Sequence, residues 1–449
     1  MIRLVLCDLR DHAATWIGAF AVAVACGYIG GWAASLQTTA SFYLGDPSLH
    51  KSLQNTVSMV LSFSSIAAVA VLVSASGLTV SAQQRSYALW QLANVSPRRV
   101  GAVVLAQLAV VAVLGAACGT LLAAVSFVPL FPVVFGLWEP FSQVAPQVGA
   151  SLMPVVWLAA ACVFLLGGLN GARSAAKTSP LAILRESEPK CVGMTLPRAL
   201  LFAAMAAGIC WFASVMADAK PDVVMGYSLY VPILAVASLV PLAPLVCSLL
   251  LTAWTAMVPQ NRWDAWYLAR RVARYGLSTS TSVETPVMVC FGLIAGLFSV
   301  LKLWEDYLIS QGVSSFNGLD PVQTVLLLGG PVLLCAVGAA VSVTMSSRTR
   351  TRDVSLLVAS GARPKTLMAA AVCEAFIHAV TATLVGAVAV VVSNAIVAHA
   401  VGLPLLDGLA FGEGLVVSLV GFVLVLAATL VPTWSALNRE AAAVLSVQE

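Results

Sequence analysis

The chain has 449 residues, of which 60% are hydrophobic and only 9% charged, with a formal net charge of +4. Its mean hydropathy is +0.96. A soluble globular protein carries about 25% charged residues, so this composition excludes a water-solvated surface over most of the molecule and leaves lipid as its main solvent.

Apolar runs able to cross about 30 Å of hydrocarbon follow one another along the chain. They occupy Trp16–Ser35, Thr56–Val80, Val100–Phe127, Leu152–Leu169, Ala199–Met216, Tyr230–Ala256, Pro286–Leu301, Gln323–Met345, Thr366–Val397 and Gly414–Trp434. None alternates polar and apolar residues as barrel strands do. The predicted fold is therefore an all-α integral membrane protein with about ten transmembrane helices. The first run continues apolar past Cys26 and reads as a span, not a cleaved signal peptide. The seventh is short, with Glu284 just before it. Ile2–Asp11 and the run Trp263, Trp266, Tyr267, Arg270, Arg271 and Arg274 read as interfacial helices. A membrane surface explains those basic residues without nucleic acid.

Placing the N-terminus in the cytoplasm puts 20 of the 23 Lys and Arg on the cytoplasmic side; Lys51, Lys220 and Lys302 lie on the other. That is the positive-inside pattern, and it predicts a multi-pass protein of the bacterial cytoplasmic membrane with both termini cytoplasmic. The outer connections carry Asp46, Glu139, Asp218, Asp222, Glu305, Asp306, Asp320, Asp407 and Glu413. Their field would draw cations to the outer mouth. The ten cysteines lie mostly within the apolar runs and lack the spacing of metal pairs. They read as small packing residues, with no disulfide and no metal.

An internal repeat organises the chain. At an offset of 267 residues, Arg85 meets Arg352, Leu89 meets Leu356, Pro97 meets Pro364, Arg98 meets Lys365, Gln107 meets Glu374 and Gly119 meets Gly386. The ends also echo each other, Ser179–Leu184 resembling Glu440–Leu445. The chain thus divides into 1–192, a four-helix unit with its N-terminal interfacial helix; 193–257, two linking transmembrane helices; and 258–449, an interfacial helix and a second four-helix unit. Both units begin and end inside, so they are parallel repeats about an axis along the membrane normal.

Segments Arg85–Val100 and Arg352–Leu367 resemble the signature of the FtsX/MacB-like permease family of ABC transporters. The resemblance rests on Asp353, Leu356, Leu357, Gly361, Ala362, Arg363, Glu374 and Gly386, and the layout is similar to the ten-span, bacitracin-resistance-type branch. The first repeat departs from it, with Ser86, Asn94 and Gln107 where the family has an acid, a Gly and a Glu. The connections Leu36–Asn55 and Lys302–Val322 are too short for the family's large extracytoplasmic domain.

The resemblance implies a permease subunit, not itself an enzyme, working with two copies of a separate ABC ATPase. No Gly-x-x-x-x-Gly-Lys-Ser/Thr occurs here, so ATP and Mg would be bound by that partner, and this chain needs no cofactor. The implied coupling residues are Arg85, Leu89, Trp90, Pro97, Arg98, Arg352, Asp353, Leu356, Leu357, Gly361, Arg363 and Pro364. Gln107, Glu374 and His378 are intramembrane polar groups, a costly class that marks function. Glu374 and His378 share one helical face, and the family implies a packing role for Glu374. No pair of deep aspartates or Ser–base pair supports intramembrane proteolysis. The expected cargo is an amphiphile (peptide, lipid or hydrophobic drug), with a cationic peptide suited to the acidic outer face. The other reading is a mechanotransmitting regulator of an extracytoplasmic partner that moves no substrate.

Overall fold

The computed structural model describes residues 7–10, 12–135, 141, 144–177, 196–259, 263–275, 277–312 and 321–438. Among them every regular element is a helix: α1 (Ala13–Phe42), α2 (Pro47–Ala82), α3 (Gln84–Leu92), α4 (Pro97–Phe135), α5 (Met153–Lys177), α6 (Leu196–Ala217), α7 (Pro221–Ser228), α8 (Val231–Ala256), α9 (Asp264–Tyr275), α10 (Leu277–Ser310), α11 (Pro321–Ala359), α12 (Pro364–Val401) and α13 (Phe411–Leu437).

All ten expected spans fall on helices. Eight helical stretches among the described residues are long and apolar enough to cross a membrane: α1, α2, α4, α6, α7–α8, α10, α12 and α13. Two shorter apolar stretches, Met153–Leu169 in α5 and Leu328–Ser342 in α11, coincide with the fourth and eighth expected spans. The fold is that of a helical, multi-pass membrane protein.

Local chemistry sets the helix ends. Proline opens α2, α4, α11 and α12, where its missing N–H costs nothing. Asp46 caps α2, its Oδ1 accepting from the Ser48 and Leu49 amides at 3.1 and 3.3 Å. The Ser48 hydroxyl bond, backed by the Leu49 amide, holds the Asp46 carboxyl below its usual range. Gly402, at φ +78°, stops α12.

The chain folds as two compact units: Met1–Glu188 with Leu319–Val341, and Pro189–Gly318 with Ser342–Glu449. In the first, α1 and α4 meet through small residues. A Cβ on Gly119 would lie 2.1 Å from the Val24 carbonyl oxygen, and one on Gly27 would lie 2.4 Å from that of Ala116. Without a hydrophobic drive between helices in lipid, such backbone approach is what holds them. Towards the far end of α4, Phe127, Phe131, Phe135 and Phe141 form a buried ladder. In the second unit α12 packs against α8, α9, α10 and α13, and Gly386 faces Phe291 and the Met288 carbonyl of α10. The amphipathic α9 buries Trp266, Ala269 and Ala273 on Leu251 and Ile377, while Trp263, Tyr267 and Arg274 are exposed. That suits the interfacial reading of this helix. Most of Ile2–Asp11 lies outside the described residues.

Candidate functional site

The two segments singled out by the repeat build the same backbone turn. In the first unit α3 ends with Ala93 N–H donating to Leu89 O, Asn94 N–H to Gln91 O and Val95 N–H to Trp90 O. In the second, Ser360 N–H donates to Leu356 O, Gly361 N–H to Val358 O and Ala362 N–H to Leu357 O. The next helix opens alike: Arg99 and Val100 amides on Ser96 O, Thr366 and Leu367 amides on Arg363 O. All five bonds recur at the 267-residue offset. The turn needs one left-handed residue, and it is Gly361 at φ +93° in one copy and Asn94 at +67° in the other. Asn is the non-glycine residue best suited to that region, so this departure from the family pattern keeps the geometry.

Each turn shows leucine to the outside, Leu89 at 55% and Leu92 at 57% exposure in the first and Leu356 at 46% in the second. Pro97, Arg98, Asp353, Gly361, Arg363 and Pro364 are exposed around them. Trp90 is half-buried against the Tyr87 ring at 5.5 Å, and Leu357 packs beside the Val354, Leu367 and Ala436 cluster. Arg85 and Arg352 lie on α3 and α11, but their side chains fall outside the described residues. An exposed leucine ringed by cationic and proline residues can seat in an apolar groove of a partner and gain charge steering.

The anchoring beneath the turns differs. Under α3, buried Tyr87 donates its hydroxyl to Gln83 Oε1. Gln107 Nε2 donates to Asp8 Oδ2 at 2.7 Å, and the Tyr87 hydroxyl lies 3.5 Å from Gln107 Oε1. His12 Nδ1 is 3.1 Å from Asp8 Oδ1. Burial, then the Asp8 charge, pushes the Tyr87 phenol well above its ordinary range, so it stays a neutral donor. The residue matching Tyr87 in the repeat, Val354, sits instead in an apolar cluster.

A second polar group lies within the second unit. His378 Nδ1 is 2.8 Å from Glu284 Oε1, and its Nε2 is 3.8 Å from Glu374 Oε1. Glu284, Glu374 and His378 are 1%, 8% and 5% exposed, and the Cys247 thiol neighbours Glu284. The cluster ties α8, α10 and α12 together. No group of three His, Cys, Asp or Glu among the described residues is arranged to hold a metal ion.

Sequence reasoning paired Glu374 with His378 but missed Glu284, 94 residues away. It also missed Asp8 and Tyr87 as partners of Gln107. The available signals were a glutamate at the mouth of a span and a glutamine inside one.

The class is thus a multi-pass helical membrane protein with two matching surface turns and a polar cluster buried among its helices. Residues 325–441, from within α11 to just past α13, match the family model described as FtsX-like permease C-terminal. The match covers about a quarter of the chain and supports its resemblance to the FtsX/MacB-like permease family, whose members are permease components of ABC transporters that work with ABC ATPase partners. No curated protein and no solved structure matches the chain.

Proposed function

We propose that this chain is the permease subunit that couples ATP hydrolysis by a separate ATPase to export, or extraction from the membrane, of an amphiphilic molecule. The observation that carries the reading is the recurrence of five backbone hydrogen bonds in two turns 267 residues apart. Two equal docking elements in one chain suit a two-fold ATPase dimer, so one permease chain serves two ATPase subunits. ATP-driven closure of that dimer biases the permease between two states. On this reading both turns face the cytoplasm, ten helices span the membrane, and the chain divides at about 192 and 257. Short outer connections favour transport over regulation of an outer partner, which would need surface to grip.

The test is reconstitution with the partner ATPase. Leu89→Asp, Leu356→Asp and Arg363→Glu should each cut permease-dependent ATPase activity at least tenfold, while Arg173→Glu should leave it within twofold. Equal effects at all four positions would mean that the turns do not dock. A native mass corresponding to two permease chains per two ATPases would overturn the single-chain arrangement. An active, substrate-free cycle that controls an outer enzyme would select the regulatory reading.

A further inference from the structure

The two turns are equal in backbone and unequal in surface. On α3, Leu89 and Leu92 stand three residues apart, hence on one helical face, and each is more than half exposed. At the 267-residue offset their counterparts on α11 are Leu356, a little under half exposed, and the exposed Ala359. The first turn thus offers an apolar pair where the second offers a single leucine beside a methyl group. Trp90, half-buried next to the pair, widens the patch; its counterpart is Leu357. Leucine has three more carbons than alanine. With a little over half of that side chain left to bury, sealing Leu92 in place of Ala359 under a partner is worth roughly tenfold in affinity.

Charge differs in the same direction. The first turn exposes Arg98 and Arg99, and α3 contains no acid. The second turn exposes Arg363 and Lys365 together with Asp353. Asp353 stands where the first repeat has Ser86, and Thr366 where it has Arg99. A partner with an acidic rim around an apolar groove is steered more strongly to the first turn.

We propose that the turns are unequal seats for two copies of one ATPase. The first turn is the tight seat and fills first. The second is the weak seat, filled because the subunit already held brings its dimer partner to the chain at high local concentration. This rests on the docking reading above and adds an order of assembly to it.

The intact chain in nanodiscs of an uncharged phospholipid is titrated, without nucleotide, with the separately purified partner ATPase. Binding is read by interferometry and native mass. Each seat is isolated by blocking the other: Leu356→Asp leaves the first turn and Leu89→Asp the second. The first turn should bind about tenfold tighter than the second, and wild type at limiting ATPase should carry one subunit before two. Leu92→Ala, added to Leu356→Asp, should weaken the first seat by about the same factor. Ala359→Leu, added to Leu89→Asp, should strengthen the second, a gain that no folding defect can imitate. Raising salt should weaken the first seat more than the second. Equal affinities of the two seats, or no response to Leu92→Ala and Ala359→Leu, would overturn the inequality and leave docking standing. No binding to wild type would remove the docking reading and the inequality with it. Leu92→Cys separates the ATPase from lipid as the occupant of this surface. A water-soluble maleimide, located by peptide mapping, should label that position in the nanodisc and be excluded by bound ATPase. Absence of labelling without ATPase would assign Leu92 to lipid and overturn the proposal.

Discussion

The turns at Asn94 and at Gly361 have the same backbone and different foundations. One stands on a polar clamp of Tyr87, Gln83, Gln107 and Asp8; the other stands on Val354, Leu367 and Ala436. The helix leading to the first breaks at Gln83, whereas α11 runs unbroken to Ala359. A surface turn thus demands a left-handed residue and a proline restart at fixed positions, and leaves open how it is bolted down. The cost of a wrong choice differs too: a polar clamp loses partners, while an apolar one only loses contacts.

The largest effect expected from testing this contrast lies where a carboxyl group and an imidazole pair in the interior. His378→Ala strands Glu284 in the interior of the second unit and should cost about 3–5 kcal/mol, read as a fall in the unfolding midpoint in a mild denaturing detergent. A fall no larger than that of an average core alanine would mean that Glu284 does not depend on His378.

Next come the two glycines of the repeat. Gly119→Ala drives a Cβ to 2.1 Å from backbone, while Gly386→Ala meets first the edge of the Phe291 ring at 2.7 Å and only then Met288 O at 3.1 Å. Both should destabilise by overpacking, typically about 1–3 kcal/mol, with Gly119→Ala the worse because backbone cannot rotate away. The reverse order in thermal melts would contradict the packing described for α1 and α4.

Tyr87→Phe leaves Gln83 without its donor and should cost about 1–3 kcal/mol. Because the folded phenol is raised, its contribution is complete below the unfolded value of about 10 and is lost as pH rises through the folded value. Wild type should therefore lose stability in that alkaline window more steeply than Tyr87→Phe. Parallel stability curves would remove Tyr87 from the clamp.

The smallest effects belong to the left-handed residues. Gly361→Ala and Asn94→Ala should each cost about 1–2 kcal/mol, and Asn94→Gly only a few tenths, measured by the same melts. A large cost for Asn94→Gly would assign its side chain a contact beyond the backbone conformation.

The helices were legible because lipid imposes one demand, about 20 apolar residues, which can be read run by run. The turns were legible through Pro97, Pro364, Arg98 and Lys365, since surface position frees those residues to keep a pattern. Asn94 looked like a departure and proved equivalent, because φ is invisible in a letter. The Glu284–His378 and Asp8–Gln107 pairs were hidden for a different reason. Partners 94 and 99 residues apart meet only if two helices each have a particular rotation, and hydropathy does not encode rotation. The fourth and eighth spans, in α5 and α11, are apolar over shorter stretches, so they met the length rule less squarely than the others.

On the transport reading, the lengths of α4 and α12, 39 and 38 residues, would make them levers. At 1.5 Å per residue each is about 57 Å long, so a tilt of about 5° at the turn displaces the far end by about 5 Å. The two levers differ in stiffness. α4 carries Pro129 and Pro132 near its far end, each removing a backbone bond and making a natural kink, whereas α12 has no proline after its first residue and stays regular to Gly402. Equal strokes at the two turns would therefore arrive unequally: damped beyond Val128 in the first unit, and delivered whole to the last turn of α12 in the second.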